Sequence, residues 1–428
     1  MAITSVTNVP ENYRSVYNPI EYVAESDKTT EDRFKYLFDV YDGATQIARL
    51  KVPASPDVYG RCDVQGICES YLFTNLGTIN SATTGIGFTD NDKSYKEFTV
   101  KIGEEYDVLT VLTQYPDQET RTVITFNGSL PNYRGSVVNF YDWQVANYYQ
   151  NYTVNTISRK WLTNAPKGSG ANKSDNQSVE LTDEGWIYFL YDNASNPVDM
   201  AQYSLYNSSG SIISTKTIDN NLSSLGDKKM LKIPSAPNTI NNILPAEFSS
   251  ATVQPIITGS VTSYRILLLD TISSVVSEEL WFNIDSECRY ETRRLEFLNS
   301  LGGFDGFNFT KVSRRSEEIE RKFYKQNPDN MNSGTGVISY SQANKQKTQY
   351  YTKSIPKMKL TSDWVDVDTF NWLLEMIESP EVYLYESGKR ITVQNIEGEW
   401  QEKRTNVDSV FNLEVTIEFG VDNYRQRF

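Results

Sequence analysis

From one end to the other, this chain is cut into short runs of aromatic and β-branched residues by Gly, Pro, Asn, Asp and Ser. Such runs suit a pleated, half-buried surface, and the residues between them suit turns. Helical spacing of apolar residues is sustained in only one long stretch. A mainly β fold is therefore expected. The stretch from Cys288 to Thr310 shows the pattern best. Leu295 and Phe297 alternate inward among charges, Gly302-Gly303 breaks the run, and Phe304, Phe307 and Phe309 resume it, which reads as two strands joined at a glycine-permitted turn.

With 428 residues the chain is too long for one ordinary core. Aromatics make up 13% of it, including 28 Tyr, so large rings can supply cores that a modest aliphatic content would not. The expected layout is two β-sandwich-like domains followed by a C-terminal α+β domain: 1–165, 166–285 and 286–428. In the first, Phe34–Tyr41 and Gln46–Val52 read as paired strands, and Asp63 as the cap of a short helix through Leu72. Tyr95–Ile102, Tyr106–Tyr115 and Thr120–Phe126 read as further strands. Thr163–Ser178 reads as a linker or long loop. In the second, Gly185–Tyr191 reads as a core strand, Asn193–Pro197 as a turn, and Gln202–Tyr206 with Ile212–Ile218 as a hairpin. Lys229–Ile233, Tyr264–Asp270 and Glu279–Ile284 complete it.

In the third domain, Val312–Lys325 is compatible with strand or helix, the helix gaining pairs such as Glu317 with Arg321. Asn327–Gly336 reads as a loop and Val337–Tyr351 as a polar strand pair or arm. Thr361-Ser362-Asp363 then offers caps for an amphipathic helix on Trp364, Val367, Phe370, Leu373, Leu374 and Ile377, stopped at Ser379-Pro380. Glu381–Tyr385, Arg390–Ile396 and Val410–Phe419 read as the strands behind it.

The formal charge of −14 argues against general nucleic-acid affinity. It is unevenly spread: Ser286–Leu360 carries fourteen Lys and Arg against eight Asp and Glu. A basic segment on an acidic body suits head-to-tail contact between copies, docking on an acidic partner, or simply a solvated face. The chain has no histidine, which removes the usual general base and the commonest zinc ligand. Three cysteines, Cys62, Cys68 and Cys288, make neither a metal set nor a disulfide framework, and reduced, partly buried thiols are expected. No apolar window is long enough to span a membrane, and the first residues do not read as a signal peptide.

Candidates for chemistry are weak. Asp305 and the pair Glu397 and Glu399 beside Trp400 are carboxylates in turns and hairpins. Asp90-Asn91-Asp92 and Asp363, Asp366 and Asp368 lack an ordered calcium loop. Gly334-Thr335-Gly336 is not a phosphate loop. Trp143, Trp161 and Trp186 are candidates for a sugar-stacking platform, with core packing as the plainer assignment. No cofactor or metal is expected, and no enzymatic activity.

Three segments, NYRSVYNPIEY, FKYLFDVY and ARLKVPASPDVYGRCDVQGICESYL, together resemble the opening of virion structural proteins in tailed phages of Bacteroidota, including crAss-like phages. RYETRRLEFLNSLGGFDGFNF resembles a later segment of the same proteins, and the helix followed by SPEVYLY is similar to tail-side assembly proteins. The resemblance touches about a third of the chain, at both ends. It implies a non-enzymatic part of a multi-subunit ring or sleeve in the tail, baseplate or neck. Its partners would be other copies and neighbouring virion proteins, and it would be assembled in the host cytoplasm. The subunit contact is then expected at Arg293, Arg294, Arg314, Arg315, Arg321 and Lys322, with Trp364, Phe304 and Phe307, and the polar arm near 327–355 is expected to order on assembly. The alternative is a receptor-binding or decoration protein that holds a host glycan.

Overall fold

A computed structural model of the chain describes residues 3–10, 12–73, 86–133, 138–144, 151–154, 159–192, 198–222, 228–286, 289–325, 329–331, 336, 338–340, 347–386, 388–395, 410–420 and 423–424. Among the described residues the fold is mainly β. It divides into two compact units, residues 1–286 with 298–306 and residues 287–297 with 307–428.

The first unit contains β1 (Ile3–Asn8), β2 (Asn12–Ser15), β3 (Glu21–Ser26), β4 (Lys35–Asp42), β5 (Thr45–Val52), β6 (Tyr59–Asp63), β7 (Thr89–Asp90), β8 (Tyr95–Val108) and β9 (Val111–Phe126). These are followed by β10 (Thr153–Val154), β11 (Gln177–Val179), β12 (Trp186–Asp192), β13 (Val198–Tyr206), β14 (Ile212–Asp219), β15 (Lys228–Pro234), β16 (Ser263–Asp270) and β17 (Leu280–Ile284). Its helices are short: α1 (Gln65–Glu69), α2 (Phe140–Trp143) and α3 (Pro237–Asn241).

Among the described residues these strands form four sheets, in the orders β1-β3-β6, β2-β9-β8-β4-β5, β10-β12-β15-β7 and β11-β17-β16-β13-β14. One core joins side chains of the last two sheets, among them Phe189 and Leu231 from one and Tyr203, Ile266 and Phe282 from the other. A second core packs Phe38, Val40, Phe98 and Val100 against Tyr22 and Cys68. Strands β7 and β10 come from the N-terminal stretch yet flank β12 and β15, so a hydrogen-bonded sheet crosses the boundary expected at 165. Each added strand is short, β10 pairing with Leu190 and Tyr191 and β7 with Leu231 and Lys232.

Several sequence expectations change locally. The strand expected at Tyr106–Tyr115 is instead the bend of one long β8–β9 hairpin, with Val108 paired to Val111. Its two central residues, Leu109 and Thr110, have φ of 50° and 70°, a turn that normally announces itself with Asn-Gly. Thr163–Ser178 is a packed loop rather than a linker: the Lys167 carbonyl accepts from Trp281 N at 2.8 Å, and Asn176 Nδ2 donates to Asn283 Oδ1 at 2.8 Å. Cys62 lies in β6 and Cys68 in α1, and both are buried. Asp63 Oδ1 does accept from Gln65 N at α1, at 2.9 Å. The expected turn at 193–197 and the carboxylates Glu397 and Glu399 lie outside the described residues, as do Cys288 and most of the expected loop at 327–336.

The second unit contains β18 (Arg293–Leu298), β19 (Phe304–Phe309), β20 (Arg314–Lys325), β21 (Asp329–Met331), β22 (Ile338–Tyr340), β23 (Lys347–Asp366), α4 (Val367–Glu378), β24 (Val382–Glu386), β25 (Lys389–Asn395), β26 (Val410–Phe419) and β27 (Asn423–Tyr424). Residues 298–306, the tip of the β18–β19 hairpin, count with the first unit. The main sheet runs β19-β18-β24-β25-β26-β23-β20, with β27 on β23 and with β21-β22 as a separate pair. The amphipathic helix begins later than its apolar pattern suggests. Thr361–Asp366 continue β23, and the Asp366 side chain caps α4 by accepting from Thr369 N at 2.8 Å. Phe370, Trp372, Leu373 and Met376 are its buried residues, and Trp372 meets Phe297 and Phe307.

Candidate assembly surface

The segment left open between helix and strand is β20, RRSEEIERKFYK, and it is exposed along all twelve residues. As an isolated helix it would gain a few tenths of a kcal/mol from each i,i+4 pair. As a strand it gains a full antiparallel ladder against β23, from Arg314 opposite Lys359 to Lys325 opposite Lys347. Side chains reinforce that ladder. Lys357 Nζ lies 2.5 Å from Glu318, Ser354 Oγ donates to Glu317 at 2.8 Å, and Lys322 Nζ sits 4.9 Å over the Tyr351 ring. The strand wins because every residue contributes to the ladder.

Beyond the stretch of β23 that pairs with β26 and β27, the two strands run on as a ribbon. Strand β26 pairs with Lys357–Asp366 and β27 with Lys353 and Ser354. Lys347–Lys359 of β23 pair with β20, which ends the sheet order among the described residues. A two-stranded ribbon is marginal by itself in water. Ile319 at 47% exposure and Phe323 at 52% are exposed on β20, as are Tyr324 beside Phe323 and Tyr350 on β23.

The residues expected at the contact therefore separate. Arg314, Arg315, Arg321 and Lys322 all lie on β20 and are exposed. Arg315 reaches Glu386 at 2.5 Å, and Lys322 lies 3.5 Å from Glu320. Arg293 and Arg294 do not belong with them. Each is 7% exposed, because all six residues of β18 are buried. Arg293 is paired with Glu386 and with Glu291, while Arg294 donates to Asn308 at 3.1 Å. Nearby, Arg390 is paired with Glu296. These charges hold a sheet together, which corrects their assignment to a surface.

Trp364 is exposed, at 65%, on the last turn-out of β23 rather than on the helix. Phe307 is half-buried against Phe309 and Trp372, and Phe304 is half-buried against the core that contains Leu301 and Tyr188. Sequence reasoning missed Ile319, Phe323 and Tyr324 as exposed groups. The signal for the first two was their same-face spacing, readable only once β20 is known to be a strand.

Several other candidates have structural work. Asp305 accepts from Thr163 Oγ1 at 2.7 Å. Asp90 accepts from the Tyr95 hydroxyl at 2.9 Å, and Asp363 pairs with Lys311 at 2.7 Å. Trp143 and Trp161 are buried, their indole N–H groups donating to the Tyr13 and Glu278 carbonyls. Among the described residues, no group of three or more Cys, Asp or Glu is placed to hold a metal, and no helix is long and apolar enough to cross a membrane. Burial pushes the Cys62 and Cys68 thiols up to about 12, far from the reactive thiolate range. No protein-family model matches the chain, and no curated protein matches it.

Proposed function

We propose that this protein is a non-enzymatic structural subunit of a tailed-phage virion, assembled in many copies as part of a ring or sleeve in the tail, baseplate or neck. The observation that carries the reading is the β20–β23 ribbon. It presents an edge strand of twelve residues, charged and apolar together, to solvent. The sequence resemblance at both ends of the chain supplies the virion context, and the basic bias of this region suits head-to-tail contacts with an acidic body. We also read the sheets built on β12–β15 and β13–β16 as a β-sandwich, because one apolar core draws on both.

Light scattering of the purified protein across salt concentrations, alone and with candidate virion neighbours, tests this reading. A closed oligomer or a stable complex that weakens with salt is expected, and Arg314→Glu with Arg315→Glu should remove it while circular dichroism stays unchanged. A protein that remains monomeric with every neighbour, and is retained on a polysaccharide column, would replace this reading with glycan binding.

A further inference from the structure

We propose that β20 is a dimerisation edge, to which a second copy of this chain adds its own β20, antiparallel, about a two-fold axis at Ile319. This isologous contact stands beside the head-to-tail contacts of the assembly reading, and it rests on that reading for a protein assembled in many copies. Strand β20 ends the sheet order, so one side of its backbone has no paired strand among the described residues. It contains no Pro or Gly. Its one register irregularity, between Lys322 and Phe323, places the extra residue on β23, which leaves β20 regular.

Charge on an edge usually prevents pairing. The order of charges here does the reverse. By strand alternation Arg315, Glu317, Ile319, Arg321 and Phe323 share one face. Within one chain Glu317 and Arg321 are about 13 Å apart and cannot meet. An antiparallel copy centred on Ile319 sets Ile319 against Ile319, Glu317 against Arg321 on both sides, and Arg315 against the Phe323 ring. A two-fold axis normal to the sheet requires a residue to face itself, and this register satisfies that. On the opposite face, Arg314 meets Tyr324 and Ser316 meets Lys322. Glu318 falls opposite Glu320, but each has a cation from its own chain, Lys357 at 2.5 Å and Lys322 at 3.5 Å. A single strand pair buries less than a standard stable interface, so dissociation constants on the order of micromolar are expected.

The test uses the full chain at increasing concentration, with mass read by light scattering. The wild type is expected to dimerise. Arg321→Glu and Glu317→Arg should each weaken the dimer by at least about tenfold, because each sets like charges opposite one another twice. The two changes combined should restore it. Circular dichroism checks that the variants fold, which substitution at these exposed positions should allow. In a Cys288→Ser background, Ile319→Cys should oxidise to a disulfide-linked dimer, since directly opposed Cα atoms about 5 Å apart suit that bond, and Glu320→Cys should not. A wild type that stays monomeric, single variants that dimerise like the wild type, or a double variant that is not restored would each overturn the contact. An oligomer that survives both single changes would leave the assembly reading standing without it.

Discussion

At the residue scale, the sheet of β4, β5, β8 and β9 shows how this chain handles buried charge. One face carries Phe38, Val40, Phe98 and Val100 into the core. The other carries Asp39, held by Arg49 at 2.6 Å, and Glu105, which accepts from Lys51 at 2.6 Å and from Gln114 at 2.7 Å. Burial pushes the Glu105 carboxyl up, but the hydrogen bonds from Lys51 and Gln114 outweigh it and leave it below the usual carboxylate range. A carboxylate lowered in the folded state adds stability above its unfolded value, and that stability is lost as pH falls through the folded value. Lys51→Met should therefore cost about 2 kcal/mol near neutral pH, and less as the pH drops below about 4. Urea unfolding at several pH values checks this, and a cost independent of pH would refute it.

At the element scale, the β8–β9 hairpin turns on two residues poorly suited to it. Leu109 is 92% exposed, and both it and Thr110 hold positive φ. Their strain is sustained by a ladder of 14 and 16 residues on either side. Replacing them together, Leu109→Asn with Thr110→Gly, should raise stability by about 1 kcal/mol and remove an exposed apolar tip. An unchanged thermal midpoint would argue that the turn is not strained. The same hairpin explains why the sequence misplaced a strand at Tyr106–Tyr115. Alternation continues through the bend, and no Gly or Asn marks it. By contrast, β4, β12, β13 with β14, and β26 were legible, because their aromatic and β-branched runs end at ordinary turn residues.

At the scale of the whole molecule, the chain returns to its first unit at residues 298–306. There Asn299 Nδ2 donates to the Leu162 carbonyl at 2.9 Å, and Gly302 turns with φ of 83°. A Cβ on Gly302 would run into the Asn127 carbonyl oxygen. Gly302→Ala should accordingly destabilise the protein by about 2–4 kcal/mol, through both the backbone strain and the collision. Denaturation followed by tryptophan fluorescence measures it. A cost below about 1 kcal/mol would show that this turn is free to shift.

Local pattern made the β class, the Gly302 turn, the Ser379 helix stop and most strands readable, because pleat, turn and cap preferences act over a few residues. Which charges face water was not readable. Arg293 and Arg315 both sit in basic, alternating strands, yet one lies inside a sheet beside Glu386 and the other approaches that carboxylate from an exposed edge. Nor could local pattern choose between helix and strand for Arg314–Lys325. Its partner strand begins more than twenty residues later, and only the ladder with Lys347–Lys359 makes the extended form the stable one.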